Sequence, residues 1–216
     1  MRVGRNILIY LGTSVAAGLL PLLLLPFLTR QLDPSEYGIM ITISSLISLI
    51  MPVINWGLIP YVGVQYFRSD PANFPSIIST IFVVPFVMTI LLLLIFWVFG
   101  EWVAVWLKIP RAWVNAAPLL SVAFFLPLLV QNLLRMRDQP FGYAAMELSG
   151  AAINFSLTIL LVFALDLGWE GRILAALTAN IGLSLIAFIW LLRRKILTLT
   201  FVREQLGPAL RFGSGT

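Results

Sequence analysis

Glu147, Asn154 and Thr158 stand seven and four residues apart in the otherwise apolar stretch YAAMELSGAAINFSLT. With Tyr143 and Gly150 they follow steps of three and four, the spacing of one helix face. A second run, TISSLISLIMPVIN, repeats the pattern with Thr42, Ser45, Ser48, Pro52 and Asn55. Ser121, Gln131 and Arg135 fall roughly in line on a third run and Tyr10, Thr13, Ser14 and Gly18 on a fourth, while Thr89 is alone on a fifth. Such groups offer hydrogen bonds, and at Glu147 a charge, to a polar solute within apolar surroundings. Two chemistries compete for them. Polar groups facing lipid are costly, so the stripes fit a hydrated lumen. Ser, Thr, Gly and Asn also serve as packing contacts between membrane helices. Glu147 is the only acid placed within an apolar run, a functional candidate by default. It lies about 7–10 Å along a helix from Asp138-Gln139-Pro140, close enough to snorkel to that boundary or to pair with Arg135 or Arg137.

Catalytic chemistry has little to work with. There is no cysteine and no histidine, which removes thiolate nucleophiles, disulfides, cysteine metal sites and the commonest general base. A membrane enzyme would need convergent acids, histidines or a large loop, and the gaps between apolar runs are short. No metal and no cofactor is expected.

The elements that carry the stripes are membrane helices by composition. The 216 residues are 60% hydrophobic and 11% charged, with mean hydropathy +1.00, far from the balance of a soluble domain. A hydrocarbon core of about 30 Å takes roughly 20 apolar residues per helix. Six stretches meet that length, at about 6–28, 39–62, 76–100, 115–134, 142–165 and 171–192. Leu22-Leu23-Leu24-Leu25 and Leu91-Leu92-Leu93-Leu94 lack the alternation of barrel strands. The expectation is an all-α polytopic membrane protein of six transmembrane helices. The first run is too long, and too rich in proline, for a cleaved signal, and it leads into a charged turn.

Charge orients the chain. Arg2, Arg5, Arg68, Arg135, Arg137, Arg193, Arg194, Lys195, Arg203 and Arg211 fall on one side, against Arg30, Lys108, Arg111 and Arg172 on the other. The positive-inside rule then places both termini in the cytoplasm. The net charge of +5 is accounted for without nucleic acid. Asp33-Pro34-Ser35-Glu36 reads as a helix start, with Asp33 as N-cap and Pro34 at the first position, and Ser69-Asp70-Pro71 repeats the idea. Trp102, Trp106, Trp113 and Trp169 fit an outer aromatic belt. Prolines at 21, 26, 52, 60, 85, 118 and 127 are expected to bend the spans that hold them.

The segment PLLLLPFLTRQLDPSEYG, with NWGL near the end of the second span, resembles the start of the polysaccharide (O-antigen, Wzx-type) flippases. These belong to the multidrug/oligosaccharidyl-lipid/polysaccharide exporter superfamily. Pro26, Phe27, Thr29, Arg30, Leu32, Pro34, Glu36, Tyr37 and Gly38 match the pattern, and GWEGRILA at the start of the sixth span is also family-like. The resemblance implies one lobe of a two-lobe, MATE-like transporter in the bacterial cytoplasmic (inner) membrane. Its substrate would be an undecaprenyl-pyrophosphate-linked oligosaccharide, moved for lipopolysaccharide or related surface polysaccharide synthesis. Membrane lipid and a second six-helix lobe, either a C-terminal half or a second copy, are the implied partners. The pyrophosphate implies a cationic or hydrogen-bonding lumen. Arg30 matches a family position and has Asp33 and Glu36 as neighbouring counter-charges. Arg30 from the family position, and Thr42, Ser45, Ser48, Asn55, Gln131, Glu147, Asn154 and Thr158 from the polar stripes, are the residues expected to face lumen or substrate. Family members carry about twice as many spans, so the basic stretch 193–216 is expected to stop short of a seventh. A cation-coupled antiporter of the same superfamily and a non-transporting membrane module stand as alternatives.

Overall fold

A computed structural model describes residues 2–70, 73–197 and 206–214. Pro71, in the second expected helix start, and the middle of the basic stretch, including Arg203, lie outside the described residues. All secondary structure among the described residues is helical. In chain order the elements are α1 (Arg2–Gln31), α2 (Pro34–Asn55), α3 (Leu58–Arg68), α4 (Phe74–Ile81), α5 (Val83–Leu107), α6 (Arg111–Val122), α7 (Phe125–Met136) and α8 (Pro140–Thr158). A π-helical segment (Ile159–Ala164), α9 (Gly168–Arg193) and α10 (Leu206–Ser214) follow. They make six runs long and apolar enough to cross a membrane: Gly4–Gln31, Pro34–Arg68, Phe74–Leu107, Arg111–Met136, Pro140–Ala164 and Gly168–Arg193. Their outward faces are apolar. Leu8, Leu49 and Val105 are 71%, 72% and 70% exposed, a surface suited to lipid rather than to water.

Local chemistry sets the ends. Asp33 occupies the N-cap of α2 in an extended conformation with Pro34 at the start of the helix, and the Asp33 amide donates to Glu36 Oε2 at 3.2 Å. Left-handed residues close several turns: Lys108 after α5, Asp138 between α7 and α8, Asp166 before α9 and Gly168 at its first position.

Proline breaks three of the six runs. Between Pro52 and Pro60 the chain passes through Trp56 and Gly57, both at positive φ, and α3 restarts with Asn55 Oδ1 accepting the Ile59 amide at 3.3 Å. The third run breaks at Phe82, ahead of Pro85, and the fourth at Ala123 and Phe124, ahead of Pro127. Pro127 has no N–H to give the Ala123 carbonyl. Ser184 Oγ of α9 donates to that carbonyl instead, at 2.8 Å. By contrast, α1 runs unbroken through Pro21 and Pro26.

The breaks divide the interior into two levels. Toward the Arg30 end, Leu28, Met40, Ile43, Ala104, Val114, Leu120 and Ile173 form one cluster from α1, α2, α5, α6 and α9. Toward the end bearing Arg68, Arg135 and Arg193, Leu58, Val62, Ile78, Phe125, Leu133 and Leu191 form another. α9 runs through both levels, with Ile173 in the first and Leu183, Ala187 and Leu191 in the second. Lipid tails are as apolar as leucine, so close backbone approach rather than hydrophobic exclusion holds such helices together. α9 accordingly buries Gly171, Ala175, Ala179 and Ala187 at four- and eight-residue intervals. A Cβ at Gly171 would stand 3.0 Å from the Leu161 backbone of the π segment.

Candidate functional site

α1 and α2 pack together only near their shared turn, through residues such as Leu28, Leu32 and Met40. Beyond that turn they diverge, and a cleft of about 700 Å³ lies between them, backed by α6, α7, α8 and α9. A further space of about 350 Å³ on the α1–α8 side shares its inner wall. The α2 wall is the face of Tyr37, Met40, Ile41, Ser44, Ile47, Ser48 and Met51, which recurs at helical spacing. The α6–α7 break contributes Phe124, Pro127 and Gln131, while α8 contributes Glu147 and Asn154. From α9 come Arg172, Ala176 and Asn180, at exact four-residue steps.

The polar groups form a ladder through the bundle. Arg172 is about 6 Å along α9 from its start and Asn180 about 18 Å. Running the other way, Glu147 is about 10 Å along α8 and Asn154 about 21 Å. The Arg172 guanidinium therefore sits near one mouth, two amides near mid-depth, and Glu147 with Gln131 toward the other mouth. Asn180 Nδ2 donates to Ala176 O at 2.8 Å, leaving its oxygen as acceptor. The side chains of Gln131, Glu147, Asn154 and Arg172 have no hydrogen-bond or ion-pair partner among the described residues. Charged and amide groups left unsatisfied at membrane depth are costly unless water or a ligand reaches them. The ladder is thus equipped to hydrogen-bond a polar solute, with a cation at one end for an anion.

Of the residues expected from the sequence, Ser48, Gln131, Glu147 and Asn154 come together in this cleft. The others do not line it. Thr42 Oγ1 donates back to Gly38 O at 2.8 Å, Ser45 is exposed off the cleft face, and Asn55 caps α3. Thr158 is fully buried, with Oγ1 donating to Asn154 O at 2.7 Å. Arg30 is exposed at the α1–α2 turn, with no ion pair to Asp33 or Glu36. Nor does Glu147 pair with either arginine considered for it. The Arg135 guanidinium donates to the Tyr143 hydroxyl and lies over that ring at 4.4 Å, while Arg137 lies 5.7 Å from the Trp190 ring.

Arg172, Asn180, Ser44 and Tyr37 are cleft residues that the stripes did not flag. Its place near the start of a span groups Arg172 with the outer turn charges. Its four-residue spacing from Ala176 and Asn180 was the available signal.

A sequence model for a family described as polysaccharide biosynthesis protein matches residues 27–216. The chain belongs to this polysaccharide biosynthesis family. The match takes in the α1–α2 turn and every residue of the polar ladder. Neither a curated protein nor a solved structure gave a significant match.

Proposed function

We propose that this chain is the N-terminal lobe of a translocator that carries an undecaprenyl-pyrophosphate-linked oligosaccharide across the bacterial cytoplasmic membrane for surface polysaccharide synthesis. One observation carries the reading: an arginine without a partner among the described residues and a ladder of amides with hydrogen-bonding capacity to spare line a cleft inside an apolar bundle, in a member of a polysaccharide biosynthesis family. Arg172 supplies the charge-assisted hydrogen bonds that pyrophosphate favours. Gln131, Asn154 and Asn180 suit sugar hydroxyls, which both donate and accept. The chemistry is binding and passage, with no bond made or broken.

A cleft of 700 Å³ is the size of a pocket for a drug-sized ligand, smaller than a lipid-linked oligosaccharide. The opening between α1 and α2, edged by the exposed Ser44 and Ser48, is where a second lobe would supply the facing wall. Glu147 favours one second reading, a cation-coupled antiporter, because a lone carboxylate in the cleft can take up a proton or cation.

Complementation tests the proposal. In a strain lacking its polysaccharide flippase, the chain with a matched second lobe should restore surface polysaccharide. No rescue at normal membrane abundance of both lobes would refute it, and export of small cationic drugs without rescue would favour the antiporter.

A further inference from the structure

By helix geometry, the face of α8 opposite Glu147 and Asn154 carries Gly142, Ala145 and Ser149. There α7, α8 and α9 leave an apolar groove of about 210 Å³, walled by Val130, Leu134, Ala145, Met146, Ile186 and Trp190. It is open to the bundle exterior, since Gly142, Ala145, Ser149 and Ile186 are all exposed. From Gly142 to Ser149 it runs about 10 Å along α8. Two helical turns is short for docking a transmembrane helix. Its length and its volume suit one hydrocarbon chain.

The mouth of the groove is cationic. Arg137 lies over the Trp190 ring, 5.7 Å from its centroid, a contact that fixes the guanidinium beside the groove. Arg194 stands four residues beyond Trp190 on the same side of α9, with Arg193 and Lys195 adjoining. None of these four has a carboxylate partner among the described residues. The net positive charge thus lies at the depth where a headgroup would sit above a chain in the groove. We propose that this groove is a binding site for an anionic glycerophospholipid, one acyl chain lying along α8 and the phosphate held by Arg137 and Arg194. Basic pockets between membrane helices recognise such headgroups through the same combination.

Native mass spectrometry of the purified chain tests it, with phosphatidylglycerol and phosphatidylcholine of identical acyl chains supplied in equal amounts. Phosphatidylglycerol should be retained preferentially. Arg137→Gln and Arg194→Gln should each reduce that preference about fivefold. Ala145→Leu, and Ser149→Leu as a second filling variant, should lower retention of both lipids without shifting the thermal melt. Equal retention of the two lipids by the unaltered chain would overturn the proposal, as would a preference indifferent to both arginine variants. Displacement by a polyprenyl phosphate that itself binds more tightly would reassign the groove to a substrate tail. A lower oligomeric mass on filling the groove would reassign it to a second copy of the chain.

Discussion

Arg172 is the residue on which the proposed chemistry turns. It lines the cleft beside Ala176 and Asn180, with no carboxylate to neutralise it among the described residues. A hydrogen bond to a charged group contributes about 1.5–3 kcal/mol. Arg172→Gln should therefore weaken binding of a lipid-linked pyrophosphate by about tenfold or more, measured by titration in nanodiscs, and Arg172→Lys should recover part of that loss. Glu147→Gln should leave pyrophosphate binding intact, because the carboxylate is near the other mouth; equal loss in both variants would point to a shared packing role. Sequence spacing located Glu147 and Asn154 correctly relative to each other, because seven residues bring a helix back within about 20° of its starting direction. The stripe from Thr42 to Asn55 fails the same test. Six residues turn Ser48 about 120° away from Thr42, so Ser48 lines the cleft and Thr42 does not; Asn55 keeps the direction of Ser48 but is the last residue of α2 and caps the next helix.

At the scale of elements, the broken helices show how the chain tolerates proline within apolar surroundings. Pro127 leaves Ala123 without its backbone donor, and Ser184 supplies the replacement from α9. Ser184→Ala should cost about 1 kcal/mol of stability, read as a lowered thermal melt in detergent. The cost should shrink in a Pro127→Ala background, where a backbone amide can serve the same carbonyl; additive effects would show that the two residues are not coupled. Gly171→Ala should also destabilise, since its Cβ would press on the Leu161 backbone, which cannot move aside as a side chain can. The spans, the Asp33–Glu36 helix start and the proline positions were legible because they depend on local sequence. That three runs break and α1 does not was not legible. Whether proline breaks a helix depends on what neighbours offer the freed carbonyl, as Ser184 does from a distant span. The facing of Arg172 was hidden for a related reason: the rotation of α9 is fixed by Gly171, Ala175 and Ala179 meeting their neighbours.

The whole molecule combines a lipid-suited exterior, two packed interior levels and a cleft that opens between its first two helices. The absence of native cysteine makes it suited to single-cysteine labelling. If the termini are cytoplasmic, Lys108→Cys should react with an impermeant thiol reagent in intact cells and Arg68→Cys only after permeabilisation; the reverse pattern would invert the orientation. The most direct test of the cleft as a substrate path is labelling at Asn180→Cys in membranes holding the chain and a second lobe. Leu185→Cys, at an exposed apolar position on the same helix, is the control. Asn180→Cys should react with a small charged thiol reagent while Leu185→Cys stays inert, and lipid-linked oligosaccharide should slow the reaction. An Asn180→Cys as unreactive as Leu185→Cys, or labelling that the substrate leaves unchanged, would contradict a hydrated path for that substrate.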